Sequence, residues 1–304
     1  MGLLRTRIRR QLVSTSRENY VLIDENLTYT GRVPDLWIDL LACLDIGPSS
    51  SGDGACTRFE GRNQQLEYRR VFGGQILGQF LRIASQTCPD KVVKSQHAVF
   101  AKEGRTDEPI SYQATLHHEG RSFATITVIA TQAHGVIATA SISMHAVEGG
   151  REHQQVDAVL AVLGPEHEIT LSLIPWQVRT DVDLSAATAG PPQFEMWMRT
   201  PAVGPELAPS LTAYATDLTL IGTALRPIEG ISEKDTMTLF TSAVTSHTMW
   251  FHRPFRTDDW LLLRQHSPLL AGGRSFGRGD VLTPDGQLVA SYSQEALVRF
   301  TEQQ

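Results

Sequence analysis

EGRSFATITVIATQAHGVIATASIS at residues 119–143 and GGRSFGRGDVLTPDGQLVASYSQ at residues 272–294 share the tetrapeptide GRSF. The two copies stand 153 residues apart (120 to 273) in a chain of 304. That spacing is half the chain, the mark a duplicated fold leaves. Each stretch runs strand-like from GRSF, breaks near a glycine and resumes as a strand of small residues, VIATAS (136–141) answering to LVASYS (288–293). The turn TPDGQ (283–287) carries the Asp-Gly signal of a tight hairpin.

Working outward, VFGGQILGQFLRIASQTCPD (71–90) places Phe72, Ile76, Leu77, Phe80, Leu81 and Ala84 at helical spacing. Gly73, Gly74 and Gly78 lie within it, which predicts a helix closely approached by other backbone and stopped by Pro89. DLWIDLLACL (35–44) reads as a short amphipathic helix. The runs ISYQATLHHEG, RSFATITVIATQ and VIATASISMHA alternate like antiparallel strands. The second half repeats the order. IPWQVRTDVDL is an edge-strand candidate, FEMWMRT a strand, and LTAYATDLTLIGTAL (211–225) a helix. Strands around HTMWFHRPF, DWLLLRQHS, RSFGRGDVLT and LVASYSQEALVRF follow. A helix followed by antiparallel strands, twice, predicts an α+β chain with each sheet wrapped on a helix. The predicted division is an N-terminal extension at 1–34, a first domain at 35–150, a linker at 151–168 and a second domain at 169–304.

The chain is 41% hydrophobic and 20% charged, with net charge −6 and pI near 5.9, an ordinary globular composition that speaks against nucleic acid as a partner. Cys43, Cys56 and Cys88 are odd in number and lack metal-ligand spacing, so reduced cysteines of a cytoplasmic protein are expected, with no metal and no disulfide framework. No apolar run is long enough to cross a membrane. The first 19 residues are Arg-rich and free of acids until Glu18, as presequences are, and begin with the Met-Gly-x-x-x-Thr pattern of an acylation site. The reading adopted is an extension carrying a basic helix.

Taken together, VFGGQILGQFL (71–81), the GRSF hairpin, DLTLIGTAL (217–225), HTMWFHRPF (247–255) and SQEALVRF (293–300) resemble the bacterial type II acyl-CoA thioesterases, the TesB-like double hotdog proteins. The similarity runs in order over residues 35–302. It implies two hotdog domains, hydrolysis of acyl-CoA to fatty acid and CoA, no cofactor, and a homo-oligomer. In that family an Asp on the second central helix, a Ser or Thr on a following strand and a Gln near the C-terminus hold the attacking water. Matched motif by motif, the Asp falls on Asp217 and the Gln on Gln294. The hydroxyl position falls on Val244, which cannot hydrogen-bond. Thr245 is the provisional third member if a bulge re-aims it. Ser242 or Ser246 could serve instead, or the site works without a hydroxyl. FAKEG (100–104) and the pair Thr125 and Thr127 also depart from the family pattern, and would thin the positive charge available to a CoA phosphate.

The chemistry is consistent with these residue types. Thioester hydrolysis needs an activated water and a stabilised oxyanion, and no covalent intermediate. Asp217 sits in an otherwise apolar run, where a carboxylate is costly without a role. A glutamine amide offers a donor and an acceptor to one water. Backbone N–H groups at a central helix start would suit the oxyanion. His247 and His252 invite a catalytic reading, but no Ser or Cys sits in a nucleophile elbow, and packing with local hydrogen bonds is the favoured role. FGGQILG lacks the spacing of a phosphate loop. A hydratase-like relative would need a His paired with Asp217, and none follows through Leu225. The rival outside catalysis is an impaired acyl-CoA binding or regulatory protein, motivated by Val244.

Overall fold

A computed structural model describes residues 35–51, 56–68 and 70–301, and before them the backbone of three short strands. Those strands, β1 (Gln11–Ser16), β2 (Asn19–Asp24) and β3 (Leu27–Tyr29), pair antiparallel in a sheet of their own. From residue 11 onward they replace the expected basic helix, in keeping with the β-branched and aromatic residues of QLVSTS and NYVLID. Residues 1–10 lie outside the described residues.

The main body follows in chain order. The first half holds α1 (Leu36–Leu44), β4 (Pro48–Ser51), β5 (Cys56–Gly61), α2 (Gly73–Thr87), β6 (Val92–Phe100), β7 (Ile110–Glu119), β8 (Phe123–Gln132) and β9 (Gly135–His145). Residues 146–164 carry no helix or strand. The second half holds β10 (Glu168–Ile169), β11 (Gln177–Arg179), β12 (Gln193–Arg199), α3 (Ala208–Thr216), α4 (Leu220–Leu225), β13 (Phe240–Phe251), β14 (Leu261–Ala271), β15 (Arg274–Leu282) and β16 (Leu288–Phe300).

β4 to β16 form one 13-stranded antiparallel sheet, and its order exposes the repeat. Outward from the central β6–β13 pair, the first half runs β6-β9-β8-β7-β5-β4 and the second β13-β16-β15-β14-β12-β11-β10. The two GRSF copies occupy the matching hairpins, β7–β8 and β14–β15, and Phe123 and Phe276 both stay on the exposed outer face. This is the double hotdog architecture expected from the sequence. Alternation decides the faces. On β8, Ala124, Ile126, Val128 and Ala130 turn inward, and on β16 Ala290, Tyr292, Gln294, Ala296 and Val298 do so.

The helices lie inside the curve of the sheet and pack on each other. A Cβ on Gly74 would stand 2.5 Å from the backbone oxygen of Tyr214, and one on Gly78 would stand 3.2 Å from that of Ser210. The α2 glycines are therefore the seam against which the α3 backbone rests, the close approach the sequence predicted. Gln79, fully buried on α2, is satisfied on all sides. Its amide donates to the carbonyls of Cys43 (2.9 Å) and Arg62 (3.0 Å) and accepts from Tyr112 (2.6 Å).

Two predicted elements differ. The long edge strand around Val178 shrinks to the three residues of β11. The single helix expected over 211–225 is broken, because α3 stops at Thr216 and α4 starts only at Leu220. The break is populated by residues with poor helix propensity whose side chains seek other partners. Thr219 bonds Gln265 on β14 (3.1 Å), Thr216 donates back to the Ala213 carbonyl (3.2 Å), and Asp217 points at α2.

The seam makes a testable demand. Alanine is about 1 kcal/mol better than glycine in an open helix. Gly74→Ala should nonetheless destabilise by about 1–3 kcal/mol, the usual cost of overpacking, because the opposing atom is backbone. Urea unfolding checks this, and an unchanged or higher midpoint would refute the close crossing.

Candidate active site

The break between α3 and α4 places Asp217 at the C-cap of α3, with its side chain against the first turn of α2. A Cβ at Gly73 would lie 2.7 Å from Asp217 Oδ2, so only glycine leaves room for the carboxylate there. Asp217 is 5% exposed. Burial pushes its carboxyl up to about 7, opposed by a hydrogen bond from the Gly74 backbone N–H. Phe72 caps α2 without any side-chain hydrogen bond, so Asp217 meets first-turn amides that no capping side chain has claimed. The acid of one half is thus held by the helix of the other.

Asp217 opens on a cavity of about 540 Å³. Its apolar lining includes Val71, Phe72, Ile76, Phe100, Leu173 and Leu297, and its charged lining mixes Arg70, Lys102 and Lys234 with Glu103 and Glu233, Arg70 lying 3.8 Å from Glu103. FAKEG brings one cation, Lys102, and one anion, Glu103, to this lining. A roomier cleft of about 920 Å³ lies beside Trp250, Phe276 and Arg278. It contains none of the predicted residues, so the residues rather than the volume identify the site.

Val244, Thr245 and Ser242 line the same cavity as Asp217. The β13–β16 ladder pairs Val244 with Ala296 and Ser246 with Glu295, which leaves Thr245 as the extra residue of a bulge. The bulge lets both Val244 and Thr245 reach the cavity. The Thr245 hydroxyl donates to the Glu295 carbonyl at 3.0 Å, so its oxygen is left to accept rather than donate. Ser246 is not part of the lining.

Gln294 does not line the cavity either. It is buried on the inner face of β16, and neither amide atom has a partner among the described residues. Directly across the ladder stands His247. His247 is also buried, and its Nε2 lies 3.2 Å from Oγ1 of Thr216, the residue before Asp217. Gln294 therefore stands opposite a residue that bonds the chain neighbour of Asp217, with no hydrogen bond between Gln294 and His247 themselves. Burial holds the His247 imidazole down to about 4, opposed by a backbone hydrogen bond with Thr216. His252, by contrast, is exposed and bonds Ser291 (3.0 Å) on the outer face.

Sequence reasoning missed Thr216 and the lining residues Arg70 and Lys234. Nothing local in YATDLTL or EYRRVFGG marks them, because their places depend on elements far along the chain. Among the described residues no cluster of His, Cys, Asp and Glu is arranged to hold a metal ion, and no helix is long and apolar enough to cross a membrane.

Comparison with known proteins is consistent with this geometry. A family model described as the acyl-CoA thioesterase N-terminal domain matches residues 64–145, and one described as the C-terminal domain matches residues 157–298. The chain is 33% identical to acyl-CoA thioesterase 2 of Haemophilus influenzae, over 80% of this chain and 93% of that protein. It is 28% identical to human acyl-coenzyme A thioesterase 8, over 81% of this chain and 85% of that protein. A crystal structure of the acyl-CoA thioesterase II TesB2 of Mycobacterium marinum superposes with a TM-score of 0.71 at 30% identity, covering 86% of this chain and 99% of that one.

The buried carboxyl has a consequence for stability. With a folded value of about 7 against an ordinary 3.8, Asp217 binds a proton in the folded chain that the unfolded chain has released between those limits. Its contribution is favourable at acid pH and is lost as pH rises from about 4 to about 7. Asp217→Asn, neutral throughout, should remove that fall and melt higher than the wild type at pH 8. Thermal unfolding across pH 4–8 checks it, and parallel curves for the two proteins would contradict it.

Proposed function

This chain belongs to the acyl-CoA thioesterase family, and from that premise we propose that it hydrolyses acyl-CoA thioesters with a water held by Asp217 and Gln294. The observation that carries the proposal is the buried Asp217 carboxylate, seated on the first turn of α2 at the wall of a cavity with apolar sides and charged residues of both signs. The apolar side suits an acyl chain, and Arg70, Lys102 and Lys234 suit the phosphates of CoA.

In this reading Asp217 accepts a proton from the water as its oxygen bonds to the thioester carbonyl carbon. Negative charge moves to the carbonyl oxygen, which faces the Gly73 amide at the start of α2, the Gly74 amide being held by Asp217. The tetrahedral intermediate then collapses. Its C–S bond breaks, the CoA sulfur takes the proton back from Asp217, and the fatty acid leaves with the water's oxygen. Gln294 orients the water. Thr245, on its bulge, supplies an acceptor where Val244 offers nothing, and is the third member of the set.

We further propose that the protein is cytoplasmic, acts in fatty acid metabolism and forms a homo-oligomer. Its cysteines are all free, and Trp250, Phe276, Val99 and Phe123 stand exposed on the sheet, apolar side chains of the kind interfaces cover. The separate family matches to 64–145 and 157–298 support two hotdog units at 35–150 and 169–304 joined by 151–168, with 1–34 as an extension. The one observation favouring a second reading, an impaired acyl-CoA binding or regulatory protein, is Val244 in the cavity wall.

Free-thiol release from a panel of acyl-CoA esters separates the two. Turnover should be abolished in Asp217→Ala and reduced about 10²–10⁴-fold in Gln294→Ala, the range of a lost proton-transfer or water-holding group. Tight acyl-CoA binding with no turnover in the wild type would overturn the enzyme reading. Because a base must be deprotonated, kcat/KM should climb as pH rises through about 7. A profile flat across that window would remove Asp217 from the role. Val244→Thr raising the rate severalfold would mark the natural site as impaired.

A further inference from the structure

We propose that His247 is a positioning residue for the reaction: its Nδ1 accepts a hydrogen bond from the Gln294 amide nitrogen, which turns Gln294 Oε1 toward the attacking water. The inference rests on the proposed role of Gln294 and extends it to a residue whose sequence context suggests only packing.

The assignment begins with the tautomer. Thr216 Oγ1 donates to the Ala213 carbonyl at 3.2 Å, so its oxygen faces His247 Nε2 (3.2 Å) as an acceptor. Nε2 therefore carries the hydrogen. A neutral ring protonated there has a bare acceptor at Nδ1. That atom is buried and has no partner among the described residues. A buried acceptor left so costs about 1–3 kcal/mol, which makes a donor in the working site worth seeking.

The donor at hand is Gln294. It opposes His247 in the antiparallel ladder and shares its inner face, and directly opposed residues hold their Cβ atoms about 4.5–5.5 Å apart. Its amide nitrogen and oxygen are both buried and both lack partners among the described residues. An Nε2–H to Nδ1 bond satisfies two of these orphans at once and resolves which way the amide points. The oxygen is then left to accept from the water whose proton goes to Asp217, whose Oδ1 is likewise buried and unpartnered.

The imidazole is itself held on two sides, as a positioning group must be. The Tyr292 ring lies parallel to it at 6.1 Å between centroids and 3° between planes. Tyr292 is anchored by its hydroxyl donating to Gln265 Oε1 at 2.8 Å, and Gln265 Nε2 donates to Thr219 (2.9 Å) and Thr223 (2.7 Å), across the helix break from Asp217. Thr216 closes the second side. One connected set of buried side chains thus spans both ends of that break and the strand that carries Gln294.

Two substitutions separate this role from packing. In His247→Gln the side-chain amide can still donate to Thr216 but offers nothing at the Nδ1 position. In His247→Asn the side-chain oxygen can stand near Nδ1. The proposal expects kcat of His247→Gln to fall by about ten- to a hundredfold, the scale of a misplaced reactive group, with KM within about twofold. His247→Asn should keep kcat within about threefold, and adding His247→Gln to Gln294→Ala should cost nothing more.

Equal losses in the Gln and Asn variants, an effect on KM alone, or losses that multiply in the double variant would each overturn it. If Gln294→Ala alone keeps the wild-type kcat, the role of Gln294 falls and this inference falls with it. If Gln294→Ala loses activity while His247→Gln does not, only the role of His247 falls. Nitrogen-15 NMR of histidine-labelled wild-type protein tests the tautomer without any substitution. Hydrogen on Nε2 at neutral pH is expected, and hydrogen on Nδ1 would sink the proposal even where a variant fails to fold.

Discussion

The close crossing of α2 and α3 is the constraint on which the rest depends. Gly74 and Gly78 let the α3 backbone settle against α2, and Gly73 leaves a space that the Asp217 carboxylate fills. Side chains on those three residues would push α3 outward and lift Asp217 off the amides that face it. The helix interior thereby gives up propensity, about 1 kcal/mol per glycine. It gains a contact between a carboxylate and a helix N-terminus, arranged between two halves of one chain. The halves are therefore not two independent domains that happen to be fused. Each contributes an element without which the cavity has no acid or no anion-holding turn.

Burial also explains why the interior can hold both an acid and an imidazole without a salt bridge. Removing water penalises whichever form is charged, so the carboxyl of Asp217 is pushed up to about 7 while the imidazole of His247 is pushed down to about 4. The shifts run in opposite directions from one cause. Near neutral pH the ring is uncharged, and the carboxyl is poised to exchange a proton. That is the state in which Asp217 can take a proton from water and return it to a leaving group, and in which His247 can accept a hydrogen bond rather than donate two. A charged pair at the same depth would carry a desolvation penalty that only excellent geometry offsets.

What was legible in the chain was whatever repeats or whatever depends on near neighbours. GRSF recurs because the same hairpin recurs, and the glycines of FGGQILG mark a close approach because no side chain can substitute for missing bulk. The alternation of RSFATITV and LVASYS marks strands with one face in and one out, but the burial of Gln294 is known only from the folded sheet. The helix break at Asp217 was not legible. LTAYATDLTLIGTAL has helical spacing throughout, and it is broken by partners that lie on α2 and β14, far away in sequence. The bulge at Thr245 was foreseen as one of several options, but only the ladder with β16 decides among them, since Val244 and Ser246 pair with consecutive residues there. The link from His247 to Thr216 joins positions 31 residues apart across the core, which no local pattern records.

The two halves share a topology but treat their inner faces differently, and the difference locates the chemistry. In the first half β8 and β9 turn Ala124, Ile126, Val128, Ala140, Ile142 and Met144 inward, and the buried Gln79 of α2 has a partner for every atom that needs one. In the second half β13 and β16, the counterparts of β6 and β9, turn His247 and Gln294 inward with hydrogen-bonding capacity unmet by the described residues, while β6 carries one such atom, Gln96 Oε1. A core under selection for stability alone would have replaced them with apolar side chains, because each orphaned group costs about 1–3 kcal/mol. Unpartnered buried atoms occur elsewhere among the described residues, on Glu108 and His145 in the first half and on Trp176, Arg179 and Thr212 in the second, but only His247 and Gln294 face each other across a ladder. The halves thus contribute different parts: the first supplies the glycine-bearing helix start that meets Asp217, and the second the facing pair His247 and Gln294, whose unmet hydrogen-bonding capacity is what the proposed reaction would use.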